Sequence, residues 1–244
     1  MKDSLEHNPV GGWKFDDSVG ECLDNMVERS IPLYAESIDL LSRLAVKHLG
    51  NAREATVVDL GCSNGNALAK IIEVIGESGR VGHVRFVGLD CEQHMLDRAA
   101  KRLGSSVELV LHNLKASVPY SVGSKRPDVV FLLWTAQFVP LEYRAQLFSS
   151  IRSMIAPTGA LFVAEKLRGQ SSAFQNALAA QYSSWKVRVG GYSEANVIQK
   201  NESLENVLVS LSAPEQKQMM MAEGWIVEEV TRYLGFATFY LIPK

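Results

Sequence analysis

Apolar and polar positions along this chain follow two periods, and the change between them falls near Ala55. Ahead of that point Ile38, Leu41, Leu44 and Ala45 recur at about one helical turn, which predicts a helix over 32–49 after an earlier one over 19–28. Pro32 fits the first turn of the later helix, where its missing N–H costs nothing. From Ala55 the texture becomes short β-branched runs separated by helical spacing. ATVVDLG ends in Asp and Gly and leads into a helix over 66–76; VRFVGLD repeats the pattern, with a helix over 92–103. VELVLHN, PDVVFLLW and GALFVAEKL read as further strands, the last two separated by an amphipathic stretch over 141–155. Strands alternating with helices imply right-handed crossovers and a parallel sheet covered on both faces. WIVEEVTRY and FATFYLI have only a short turn around Gly235 between them and should form an antiparallel hairpin at one sheet edge. The expected fold is therefore α/β, a mostly parallel seven-stranded sheet closed by a C-terminal hairpin.

Two regions stand outside the alternation. Residues 1–18 are rich in Gly and Asp and read as a loop or lid; with the helices after them they make an expected helical cap over 1–50. Within the main domain, 51–244, an excursion over about 168–221 is mostly helical by pattern. It is too long for an ordinary loop and reads as a lid or dimer element.

Composition narrows the function. Lys and Arg number 25 against 27 Asp and Glu, a net charge of −2. That balance lacks the basic footprint of a nucleic-acid binder, and Lys101, Arg102, Lys125 and Arg126 form no continuous stripe. Cys22, Cys62 and Cys91 cannot all pair and lack metal-ligand spacing, so a reducing, cytoplasmic location is expected. The polar start MKDSLEHNPVGGW has no apolar signal core, and nowhere do 18 apolar residues run together. His7, His48, His83 and His94 are scattered, and no metal is expected.

The most informative segment is VVDLGCSNGN, residues 57–66. Asp59, Gly61, Ser63 and Gly65 stand at alternate positions where a strand turns into a helix, so the backbone can approach a ligand near a helix N-terminus. A dinucleotide fingerprint fails, because Ser63 and Asn66 replace its second and third glycines. The pattern resembles motif I of the class I S-adenosylmethionine-dependent methyltransferases, which have a Rossmann-like fold. Asp90, ending the next strand, can accept both ribose hydroxyls, and Asn113, ending the third, can meet the adenine edge. Taken singly, each could be a helix cap or turn former. Their register beside the glycine loop favours a cofactor site.

Longer segments carry a closer likeness. WKFDDSVGECLDNMVERSIPLY, DLGCSNGN, LLWTAQFVPLEYRAQL, PTGALFVAEKL and GGYSEANVIQKNESLENVL together resemble carboxy-S-adenosylmethionine synthases. That resemblance implies S-adenosylmethionine as cofactor, prephenate as carboxyl donor, and a homodimer whose lid segment helps to complete the neighbouring site. It places cofactor contacts on Tyr34, on Gly61, Cys62 and Ser63, on Asp90 with Cys91, and on Asn113 with Leu114. Two positions depart from the family pattern. Leu133 stands where an Asn precedes the fourth-strand aromatic, and Asn201 stands where an Arg would pair with the cofactor's extra carboxylate. A neutral amide supplies no charge for that carboxylate. The departures point to a diverged relative with different chemistry.

The leading reading is methyl transfer to a small molecule. A close rival has the cofactor as its own substrate, its α-amine displacing methylthioadenosine to close azetidine-2-carboxylate. Carboxy-S-adenosylmethionine synthesis and a non-catalytic cofactor-binding scaffold are the other two readings. The rival suits an aromatic-rich pocket with no charged residue for an acceptor, and needs a group such as Asn201, Ser203, Gln137 or a tyrosine to orient the amine. Trp13, Trp134, Phe138, Tyr182, Trp185 and Tyr192 are candidates to face the sulfonium, Trp134 and Tyr192 foremost. Cys62, near a helix N-terminus, could have a lowered pKa, although a small packing role suits it better. His112 reads as structural rather than as a base, and Glu165 and Lys166 as positioning residues.

Overall fold

The computed structural model of the protein describes residues 17–79, 83–115 and 125–244. Trp13, His7 and most of the expected N-terminal loop lie outside them. In chain order come α1 (Asp17–Ser30), α2 (Tyr34–Leu49), β1 (Glu54–Leu60), α3 (Asn66–Glu77), β2 (His83–Asp90), α4 (Gln93–Leu103), β3 (Val107–Leu111) and β4 (Val129–Leu133). They are followed by α5 (Leu141–Met154), β5 (Ala160–Lys166), α6 (Ser172–Arg188), α7 (Glu194–Ser203), α8 (Ala213–Ala222), β6 (Trp225–Tyr233) and β7 (Phe236–Pro243).

The strands form one seven-stranded sheet in the order β3-β2-β1-β4-β5-β7-β6. The first five are parallel, and β7 runs antiparallel between β5 and β6, so the expected fold is the observed one. Alternation along the central strands decides which face each residue serves. Val58, Leu60, Val130 and Leu132 pack with Phe148 of α5 and Trp225 on one side; Val57, Phe131 and Phe162 pack with Leu41 of α2 and Ile71 of α3 on the other. Because both faces are covered, the central strands read as unbroken apolar runs. Strand order reverses between β1 and β4, which opens a crevice beyond their C-terminal ends.

Two sequence expectations shift. Pro32 does not begin α2: the helix starts at Tyr34, after Leu33 adopts a left-handed φ of 58°. The Leu33 carbonyl accepts the Ser37 N–H at 2.8 Å, so Leu33 takes the capping place and Pro32 sits in the turn before it. The long excursion resolves into α6, α7 and α8, each announced by a serine. Ser171 and Ser193 accept the N–H groups of Phe174 and Asn196, and Ser212 forms a capping box with Glu215. The Arg168 N–H donates to Leu211 O at 2.9 Å and its side chain pairs with Glu215, so the excursion leaves and rejoins the sheet at nearly one point. Among the described residues no helix is long and apolar enough to cross a membrane.

Candidate functional site

The turn from β1 into α3 is built from alternate left-handed residues: Gly61 (φ 81°), Ser63 (φ 51°) and Gly65 (φ 77°). Glycine is required here for conformation and packing as much as for a ligand's approach. A Cβ on Gly61 would lie 2.4 Å from the Thr135 side chain, and one on Gly65 would lie 2.8 Å from Leu103. The N–H groups of Gly61 and Cys62 both donate to Leu89 O, at 2.7 and 2.8 Å, tying the turn to the end of β2. There the Asp90 carboxylate accepts the Ser63 N–H at 2.8 Å on one oxygen and the Glu92 N–H at 3.0 Å on the other. Asp90 is thereby fixed at the cavity wall, and each oxygen keeps a lone pair for a hydroxyl donor. Burial raises its pKa, against the pull of those N–H groups. Asp59 is more deeply buried; desolvation, and then the charge of Asp90, push it up to about 7. One Asp59 oxygen has no hydrogen-bond partner among the described residues. Two carboxylates beside a left-handed turn suit a nucleoside that carries hydroxyls and positive charge, so the residues present fit S-adenosylmethionine. Burial and the two acids push the Cys62 thiol up, which removes the lowered pKa that its place near a helix could have given.

These groups face a cavity of about 280 Å³. Of the residues expected to contact the cofactor, Tyr34, Asp59, Gly61, Cys62 and Ser63 line it from the α2 and β1 side. Asp90, Cys91, Asn113, Leu114 and Leu133 line it from β2, β3 and β4. Gly65 does not; it packs beneath, against α4. Asn113 lies two residues past the end of β3, and its Oδ1 accepts the Lys115 N–H at 2.8 Å, so it also acts as a turn former. The backbone N–H of His112 donates to Asp90 O at 2.8 Å, and the residue lines the cavity beside Asn113. Trp134 follows β4 with φ 52°, a rare conformation for a bulky residue, and its ring stands 4.8 Å from that of Tyr34. Leu33 and Trp134, both left-handed, thus deliver two aromatic rings to one wall.

At the far end the wall changes character. Gln137, Phe138, Tyr182 and Phe236 reach the cavity, but so do Lys166, Lys186 and Lys200. A pocket without charge is therefore not what the chain builds. Lys166 ends β5 and lies 4.7 Å from the Tyr182 ring centroid; burial pulls its pKa down to about 8. Lys186 donates to Asn201 Oδ1 at 3.2 Å, and burial, with Lys166 and Lys200 near it, pulls it down to about 7. Lys200 donates to Ser30 Oγ at 2.8 Å and to Tyr192 Oη at 3.3 Å.

This packing places the remaining candidates behind the wall. Tyr192 is buried against Ser30 and Lys200, Asn201 is an exposed residue whose amide holds Lys186, and Ser203 donates to Lys200 O at 2.9 Å. Trp185 packs against Ile31, Tyr182 and Phe236. Lys186 and Lys200 escape sequence reasoning because a lysine on a helix reads as solvated. The signal available is the one-turn spacing of Lys186 from Tyr182. Gln137 serves as a brace: its Oε1 accepts the Lys166 N–H at 2.9 Å, and its carbonyl accepts from Arg144 and from the Val209 N–H. Glu165, fully buried beside it, is pushed up to about 8 by burial.

Comparison with known proteins agrees with this geometry. The Methyltransferase domain family matches residues 57–159, from β1 to the turn before β5. Carboxy-S-adenosyl-L-methionine synthase from Wolinella succinogenes is 32% identical over 231 residues, covering 93% of this chain and 92% of the relative. The enzyme of that name from Methylococcus capsulatus is 33% identical over 86% of this chain and 85% of its own. Among solved structures, DhpI in complex with SAH has a TM-score of 0.58 at 17% identity, covering 92% of both chains. An O-methyltransferase family protein from Burkholderia thailandensis has a TM-score of 0.65 at 18% identity, over 94% of this chain and 61% of that one. The protein is an enzyme that uses S-adenosylmethionine as cofactor or substrate. With this fold, this strand-end cavity and relatives matched over nearly their whole length, the chain belongs to the carboxy-S-adenosyl-L-methionine synthase family of the class I S-adenosylmethionine-dependent methyltransferase superfamily.

Proposed function

We propose that this chain transforms S-adenosylmethionine itself, at the carbons next to the sulfonium, rather than passing its methyl group to a separate acceptor. The relatives are named for making carboxy-S-adenosyl-L-methionine, which sets the precedent of the nucleoside as the molecule transformed. The reaction proposed is internal displacement. The α-ammonium gives one proton to the protein, and the freed amine attacks Cγ of its own chain. The Cγ–S bond breaks with its electron pair moving to sulfur, leaving methylthioadenosine and azetidine-2-carboxylate. The observation that carries this reading is the neutral Asn201 holding Lys186, whose side chain lines the cavity. A buried amine is present there, while the position where the family resemblance implies a carboxylate-reading Arg carries no charge. Lys166, more readily cationic than Lys186, is suited to the substrate's α-carboxylate. The Tyr34–Trp134 pair is suited to the sulfonium, where a desolvated cation–π contact contributes about 2 kcal/mol.

Carboxy-S-adenosylmethionine synthesis is the second reading. The identity of the relatives and the cationic wall of the cavity favour it, since the carboxyl donor is an anion and the product carries an added carboxylate. One assay separates the reactions. The protein is incubated with S-adenosylmethionine alone and with added prephenate, and the products are read by mass spectrometry. Methylthioadenosine with azetidine-2-carboxylate from S-adenosylmethionine alone supports internal displacement. Carboxy-S-adenosylmethionine formed only with prephenate transfers the assignment to the second reading. S-adenosylhomocysteine formed only with an added acceptor overturns both.

The proposal also takes the chain to be a homodimer. Phe174 (60% exposed), Val189 (64%) and Ile198 (59%) on α6, α7 and their connection offer apolar surface for a second copy. Sedimentation equilibrium should give twice the chain mass.

A further inference from the structure

We propose that Lys186 is the proton acceptor of the reaction and that Asn201 is its positioning residue. This assignment rests on the reading of S-adenosylmethionine as the reacting substrate. It begins with placement: α6 carries Tyr182 and Lys186 one turn apart, both buried, and both reach the cavity. The Lys186 Nζ lies 4.5 Å from the Tyr182 ring centroid and donates to Asn201 Oδ1 at 3.2 Å. An amide oxygen fixes the direction of the amine without supplying the negative charge that would hold it protonated. Among the described residues Lys186 forms no salt bridge. The titratable groups around it are Lys166 from β5, Lys200 from α7 and Tyr182 on its own helix. Both lysines disfavour a proton on it, in the same direction as burial.

The other two amines are differently engaged. Lys200 is directed at Ser30 and Tyr192. Lys166 has the rings of Tyr182 and Phe236 at 4.7 and 5.9 Å, and burial pulls it down less far than Lys186, to about 8. A sulfonium entering this cavity adds one more positive charge. Lys186, the most easily deprotonated of the shifted pair, should then release its proton to solvent and present a lone pair to the arriving α-ammonium. The N–H bond of the substrate breaks, an N–H bond forms on Lys186, and the lone pair left on the substrate nitrogen attacks carbon.

The test combines calorimetry with a pH profile. Sinefungin, a non-reacting analogue with an ammonium in place of the sulfonium, and S-adenosylhomocysteine, which lacks that charge, are titrated near pH 6.5 into the wild-type protein, in buffers of different ionisation heat. The expected result is release of about half a proton or more per site with the charged analogue and far less with the thioether. Lys186→Met should abolish that difference and slow consumption of S-adenosylmethionine by about a hundredfold or more. Asn201→Asp puts a carboxylate beside the amine at an exposed position, so its fold does not depend on that of the lysine variant. It should move the acid limb of the kcat profile upward by about one pH unit or more, while Asn201→Gln keeps the wild-type limb. No proton release by the wild-type protein overturns the proposal. So does a folded Lys186→Met enzyme turning over at close to the wild-type rate, or an Asn201→Asp profile that stays in place. The proton count is taken on a ligand that is not turned over, so it stands apart from product identity, which is where failure of the cyclisation reading shows.

Discussion

Asp90 holds two backbone N–H groups and faces the cavity, so its removal should act twice. Asp90→Ala should lower affinity for S-adenosylhomocysteine by about tenfold to a hundredfold, the scale of a charge-assisted hydrogen bond of about 1.5–3 kcal/mol, while Asp90→Asn should lose less because the amide oxygen can still order the turn. Titration calorimetry distinguishes the two. Asp90 is legible in the sequence because it ends a β-branched run in register with the glycine turn and Asn113. Lys186, Lys200 and Asn201 are legible only in part, for their chemistry arises where α6 meets α7 in space. Along the chain, Lys186 stands between Trp185 and Val187 on a helix with no clear apolar stripe. Burial, and two neighbouring amines from distant segments, change the proton affinity of that lysine, and no local spacing encodes them.

Helices and strands declare themselves more openly than single residues. The central strands are fixed by β-branched runs buried on both faces, and α6, α7 and α8 by their N-terminal serines. The start of α2 is misread because Pro32 is sterically suited to a first turn, whereas the chain spends that turn reversing from α1 and lets Leu33 take a left-handed conformation. Ser212 illustrates an element held by its end. It caps α8, returns the excursion to β5 through the bridge to Arg168, and engages Glu215 from both its N–H and its hydroxyl. Ser212→Ala should destabilise the protein by about 1–2 kcal/mol, measured by urea unfolding. Its amide neighbours in 209–212 should exchange hydrogen faster than the sheet does.

Across the whole molecule, buried acids and buried amines set opposite dependences on pH. Glu165 holds its proton up to about 8 in the folded chain, against an ordinary 4.5, so its cost to stability grows as pH rises through that interval. Lys186 runs the other way: unfolding restores its ordinary 10.5, so its cost is full below about 7 and fades as pH climbs toward 10.5. Lys186→Met should therefore raise Tm, and raise it more at pH 6 than at pH 9, in differential scanning calorimetry. One further consequence lies in how α1 is fastened. Its Asp24 is gripped by Asn64 of the glycine turn and by Arg102 of α4, and its Arg29 donates to the carbonyls of Gly190 and Gly191. Leu23, Met26 and Val27 of that helix line the cavity, so ligand exchange is expected to depend on its lifting. Stopped-flow association rates should then level off at high ligand concentration, with a higher ceiling in Arg102→Ala, and in the intact protein departure of products would pace the catalytic cycle.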